Sequence, residues 1–154
     1  MNQMSLIDII DEKYKTSIKE KDSNSINTLR LIKSAIKDKQ ISLRGKKENL
    51  SDEDILSLLL NLVKQRKDSI EAFEKANRQD LIDKEKAEIN IIEVFLPEQK
   101  SEDETKKIIL KIIQENNFSS IKDMGKLMSI IKLEYTGVID MGVAGRIAKI
   151  SLGN

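Results

Sequence analysis

The sequence contains no cysteine, no histidine and no tryptophan among its 154 residues. Without cysteine the chain has no disulfide, no thiolate ligand and no cysteine nucleophile, and without histidine it lacks the commonest metal ligand and general base of proteins. These absences exclude most metal centres and most familiar catalytic groups. Aromatic residues make up only 3% of the chain, so isoleucine and leucine must supply the core, for which a hydrophobic content of 39% is sufficient.

Motifs for phosphates, metals and acid catalysis are also missing. The six glycines form neither a G-x-G-x-x-G pattern nor a P-loop, and the calcium-binding D-x-D-x-D-G pattern is absent. Asp52, Glu53 and Asp54 are consecutive, but acidic residues of this kind favour the start of a helix. We therefore predict no catalytic residue, no metal site and no cofactor on this chain.

Long apolar segments are absent as well. No apolar run approaches the ~20 residues that span a bilayer, and the N-terminal region lacks the basic and apolar layout of a signal peptide. From these features we expect no membrane partner and a cytoplasmic location.

Apolar residues recur at helical spacing along the chain, and no window shows sustained alternation of β-branched residues. This pattern predicts an all-α protein. Side chains that favour helix starts precede several of the apolar patterns. They are Ser5, Ser51, Ser101 and Asp140.

The only proline, Pro97, separates two groups of predicted helices. Proline stops the preceding helix at about Leu96, and Ser101 with Glu104 forms a capping box that starts the next one. We predict an N-terminal helical domain over residues 1–97, which contains a long antiparallel helix hairpin, and a small three-helix domain over residues 98–154.

The formal net charge of +1 conceals an excess of four positive charges in residues 1–50 and of four negative charges in residues 51–100. Basic side chains at helical spacing are typical of phosphate contacts, although a solvated helix face gives the same pattern. The candidate RNA-binding residues are Arg30, Lys33, Lys37, Lys122, Lys126, Lys132, Arg146 and Lys149.

Four segments of the chain are distinctive: "LRLIKSAI" at 29–36, "KQRKDSIEAFEKANRQDLIDKEKAEINIIEVFLPEQ" at 64–99, "KDMGKLMSII" at 122–131 and "GVIDMG" at 137–142. Together they resemble the YqeY proteins of the GatB/YqeY family. The matched segments occur in the same order as in the family and extend over nearly the whole chain. The resemblance implies an N-terminal helical domain and a C-terminal helical domain similar to the tail of the B subunit of glutamine-dependent tRNA amidotransferase.

The resemblance also implies a function and partners. The amidotransferase tail engages tRNA, which points to a tRNA-associated accessory protein whose basic faces contact the RNA backbone, and the family's activity is that of a carbon–nitrogen ligase with glutamine as donor. Since this chain lacks the residues for such chemistry, we expect binding without catalysis. The alternative is a protein-interaction module that docks on an amidotransferase, a synthetase or another translation partner.

Overall fold

The computed structural model describes residues 4–45 and 49–153. These residues form seven α-helices and no strand, which confirms the prediction of an all-α protein. The chain divides into two compact units, Met1–Leu96 (unit 1) and Pro97–Asn154 (unit 2), each with its own hydrophobic core.

Unit 1 contains four of the described α-helices. They span Leu6–Glu20 (α1), Ser23–Ser42 (α2), Asp52–Lys75 (α3) and Gln79–Glu93 (α4). Its core is almost entirely aliphatic, and Ile10, Ile32 and Leu59 are fully buried within it. Isoleucine and leucine therefore fill the interior, as the scarcity of aromatic residues requires.

Side chains cap the helix starts of unit 1. The Ser5 hydroxyl accepts a hydrogen bond from the backbone N–H of Asp8, and Ser51 forms a capping box with Asp54 at the start of α3. Asp52 has a further task, because its carboxylate accepts the backbone N–H of Leu6 at 3.0 Å. This bond joins the start of α1 to the start of α3.

The end of α4 differs from the sequence prediction. The helix ends at Glu93 and not at Leu96, and the next residues form a tight turn in which the N–H of Phe95 bonds to the carbonyl of Ile92. Because proline disfavours helical backbone in the residue before it, Pro97 prevents Leu96 from continuing the helix. The turn brings Phe95 into the core, where it is buried.

α3 and α4 are joined by an ion pair that is largely shielded from water. Arg66 Nε donates to Glu88 Oε2 at 2.8 Å, and a second guanidinium nitrogen of Arg66 donates to the carbonyl of Leu62. The two side chains are only 11% and 17% exposed. Between the helices Asn77 has a φ of 55°, the left-handed conformation that asparagine tolerates.

Unit 2 contains three described α-helices and a short 3₁₀ turn. The helices span Glu102–Glu115 (α5), Met124–Glu134 (α6) and Met141–Leu152 (α7), and the turn spans Ile121–Asp123. Ile109, Leu127 and Ile131 are fully buried in its core. The segment after Pro97 is fixed to this unit, because the N–H of Lys100 donates to the carbonyl of Val138 at 2.7 Å.

The Arg66–Glu88 pair generates a first prediction. Arg66→Ala leaves the Glu88 carboxylate shielded from water without its partner, so we expect a loss of about 2–4 kcal/mol in the free energy of unfolding. Urea denaturation monitored by circular dichroism measures this loss.

Lys75→Ala is the matched control, because Lys75 and Glu71 form a pair on the same helix that is 79% and 71% exposed. Its loss should stay below about 0.5 kcal/mol. Equal losses in the two variants would contradict the importance of shielding.

A second prediction concerns acid. The backbone N–H of Ser101 donates to the Glu104 carboxylate and holds the pKa of this group below its ordinary value of 4.5. A carboxyl group with a lowered pKa stabilises the fold above its unfolded-state pKa, and this stabilisation disappears as the pH falls through the lower folded-state value. We therefore expect the stability of Glu104→Gln to fall less than that of the parent chain between about pH 5 and pH 3.

Urea midpoints at several pH values test this expectation. The exposed residue Glu115, at the end of α5, gives the control variant Glu115→Gln, which removes one carboxylate from the same helix and leaves the capping box in place. An unchanged acid response in Glu104→Gln would show that the cap contributes nothing to the pH dependence.

Candidate functional site: the groove between α1 and α2

α1 and α2 lie side by side in antiparallel directions. Arg30 Nε donates to the hydroxyl of Tyr14 at 3.1 Å, and one turn further along α2 the Lys33 ammonium lies 2.9 Å from Asp11, which is one turn back along α1. Contacts that move toward the C-terminus of α2 thus move toward the N-terminus of α1, as expected for antiparallel helices. The two contacts fix the register of the pair.

Lys33 makes two contacts with α1. Besides its ion pair with Asp11, its ammonium lies 4.7 Å from the centre of the Tyr14 ring, over its face. Such a position is favourable for a cation, because the ring face carries negative charge. Lys33 and Asp11 remain 40% and 41% exposed, so water and a ligand can still reach both groups.

An open groove of about 460 Å³ lies beside this pair of contacts. Among its three isoleucines Ile10 is fully buried and Ile36 nearly so, so the partly buried Ile7 supplies most of the accessible apolar part, and polar side chains supply the rest. Its lining residues are Ile7, Ile10, Asp11, Lys33, Ser34, Ile36, Lys37 and Gln40. The volume falls within the range of about 300–1,000 Å³ that is usual for binding sites.

The groove has an excess of positive charge. Two lysines and one aspartate line it, and the aspartate is already paired with Lys33. Lys37 is exposed and forms no ion pair within the described ranges 4–45 and 49–153. One uncompensated ammonium therefore lies next to an apolar surface.

The apolar surface continues beyond the groove along α2. Ile41 follows Lys37 by one helical turn, so both lie on the same side of the helix, and its side chain is 48% exposed. An exposed isoleucine at this spacing adds apolar surface to α2 on the side of Lys37.

The eight basic candidates lie in different surroundings. Arg30, Lys33 and Lys37 are all on α2, but only the last two line the groove. In unit 2 Arg146 is paired with Glu102 at 3.0 Å. The remaining candidates are exposed residues of the 3₁₀ turn, α6 and α7: Lys122, Lys126, Lys132 and Lys149. Their assignment as RNA contacts stays a prediction.

Sequence reasoning missed the contribution of α1. Asp11 and Tyr14 are one turn apart, and this spacing could have placed them on one face of α1. Neither residue was identified from the sequence as a partner of Arg30 and Lys33. The structure shows Tyr14 packed against the core of unit 1 as well as beneath Lys33.

Two further kinds of site are absent from the described residues. No described helix combines the length and the apolar character that crossing a membrane demands. Within the ranges 4–45 and 49–153, no group of three or more acidic side chains is arranged to hold a metal ion.

Comparison with known proteins gives a family and several relatives. The family described as Yqey-like protein matches residues 7–152, which confirms the resemblance found in the sequence. A protein named altered inheritance of mitochondria protein 41, mitochondrial, from Lachancea thermotolerans is 35% identical over 69% of this chain and 59% of its own length. An uncharacterized protein from Schizosaccharomyces pombe is 34% identical over 60% of this chain and 73% of its own length.

A third relative, from Pyrenophora tritici-repentis, has the same mitochondrial name and is 29% identical over 77% of this chain and 66% of its own length. The chain thus spans about three fifths to three quarters of the length of these relatives. Two of these three relatives are thus named for altered inheritance of mitochondria.

These comparisons correct two predictions. The function predicted from the resemblance, a tRNA-associated accessory protein or a docking module for translation partners, is contradicted by relatives named for the inheritance of mitochondria. The predicted cytoplasmic location is wrong by the same comparison, because these relatives are named as mitochondrial proteins. Composition and the order of family segments identify a fold, and a fold by itself determines neither the partner of a protein nor its compartment.

Proposed function

We propose that this chain, which belongs to the YqeY-like family, is a protein-binding module that holds a helical segment of a partner protein in the groove between α1 and α2. The observation that carries the proposal is the open groove with isoleucines in its lining and an uncompensated Lys37 beside them. The names of the relatives give a process but no ligand, so the ligand class must be argued from the groove.

The fold favours a helical ligand. One common way to bind an extended peptide is to add it as a strand to the exposed edge of a sheet, and no sheet is present within residues 4–45 and 49–153. Two neighbouring helices instead offer a groove into which the apolar face of a third helix fits. The exposed Ile41 lengthens the apolar surface along α2, as such a ligand requires.

The polar groups of the groove are suited to binding. Asp11 is the one acidic residue in the lining, and its charge is already compensated by Lys33. Lys37 and Gln40 lie one turn apart on α2 and can interact with polar groups that flank an apolar ligand face. The proposed role is therefore recognition of a segment, without chemistry on this chain.

Ser34→Trp tests the groove, since Ser34 lines it while being exposed, and an indole there occupies the space of the ligand. The probe is a capped, lactam-stapled helical peptide of 14 residues with leucines on one face and glutamine elsewhere. We expect the variant to weaken its binding at least ~10-fold, because the indole fills part of the groove that the peptide would occupy. Fluorescence anisotropy of the labelled peptide measures the affinity.

Ser129→Trp is the matched control, because Ser129 is an exposed position of α6 in unit 2. Its affinity should equal that of the parent chain. If the parent chain fails to bind the peptide, or if both tryptophan variants bind it equally well, the proposed function is wrong.

We also propose that residues 1–97 and 98–154 are separately folding domains and that α3 and α4 form the long antiparallel hairpin of the first. Two separate aliphatic clusters support the division, and the shielded Arg66–Glu88 pair supports the hairpin. A domain with its own core is expected to fold alone.

Separate expression of the two pieces tests the division. Each should show a helical circular dichroism spectrum and a cooperative unfolding transition, because each keeps its own buried cluster. A piece that stays unfolded alone but folds when the other is added would show one continuous domain.

A further inference from the structure

We infer that the helical segment bound by the groove is acidic and that Asp11 is an internal competitor for its carboxylate. The inference rests on the proposed function, since it names the ligand of the same groove. It depends on the number and the positions of three charged side chains: Asp11, Lys33 and Lys37.

The geometry makes the competition direct. The Asp11 carboxylate lies 2.9 Å from the Lys33 ammonium, and both groups line the groove. Lys37 follows Lys33 by one helical turn, so the two ammonium groups project on the same side of α2. A ligand carboxylate that contacts Lys37 is therefore near Lys33 and can take the place of Asp11.

The exposure of the pair makes the exchange feasible. Lys33 and Asp11 are about two fifths exposed, so neither group has lost its hydration. Ion pairs of this kind are weak because water screens them and because two long side chains must be ordered. A competing carboxylate consequently needs little energy to replace Asp11, and Tyr14 keeps Lys33 in position during the exchange.

A basic segment fits the same groove poorly. It would meet the uncompensated Lys37 and would have to compete with Lys33 for the single carboxylate. Like charges brought together at an interface are unfavourable, so the groove selects against such a ligand. Charge complementarity thus identifies the occupant as an acidic segment.

The experiment compares three versions of the stapled leucine peptide that carry glutamate, glutamine or lysine beside the apolar face. Binding is measured by anisotropy for the parent chain, Asp11→Asn and Lys37→Gln. We expect Asp11→Asn to bind the glutamate peptide about two- to fivefold more tightly, because Lys33 is released, and Lys37→Gln to bind it more weakly by a similar factor. Affinity for the glutamine peptide should change little in either variant.

Asp38→Asn is the matched control. Asp38 is an exposed neighbour of Lys37 on α2 that does not line the groove, so this variant makes the same change in net charge at a nearby place. Its effect on the glutamate peptide should be clearly smaller than that of Asp11→Asn. Equal effects would show that net charge and not competition at Lys33 determines the affinity, and the inference would be overturned.

The proposed function and the inference fail in different ways. If the glutamine peptide binds and Ser34→Trp blocks it, but Asp11→Asn does not improve binding of the glutamate peptide, the groove binds helices and the inference is wrong. If the chain instead forms a dimer that Ser34→Trp abolishes in analytical ultracentrifugation, the occupant is a second copy and the acidic partner is excluded.

Discussion

The register of α1 against α2 determines both the core and the groove of unit 1. Ile10 is fully buried while Asp11, the next residue, lies at the surface against Lys33. A shift of α1 by one residue moves it ~1.5 Å and turns it by ~100°, which would expose the first side chain and remove the second from its partner. The backbone N–H of Leu6 donates to the Asp52 carboxylate and so ties the start of α1 to the start of α3 as well.

Helix starts were predictable from the sequence because capping is local. Ser5, Ser51 and Ser101 accept hydrogen bonds from the backbone of residues three places ahead, so all the information lies within four residues. The same reasoning places Asp140 at the start of α7, where it accepts from two backbone N–H groups. The C-terminal end of α4 was less predictable, since the tight turn before Pro97 depends on the burial of Phe95.

The candidate site was only half predictable, because helical spacing describes one helix at a time. It placed Lys33 and Lys37 on one stripe of α2, and the structure has both in the groove. It gave no information on which residues of α1 face that stripe, since the pairing of Asp11 with Lys33 is set by the packing of two helices. A family resemblance does not supply this information either, because relatives with one fold can have different sites.

In the proposed function, the balance of charges in the groove favours one kind of anionic ligand over another. Binding of a polyanion such as RNA strengthens with the number of phosphates that are neutralised, so a stripe with several uncompensated cations would bind any of them. Asp11 cancels the charge of Lys33, which leaves Lys37 as the uncompensated cation of the groove lining. A single such cation beside isoleucines contributes little to polyanion binding but suits a ligand that combines one carboxylate with an apolar face. With few aromatic residues in the chain, specificity in this groove depends on that combination of charge and apolar contact.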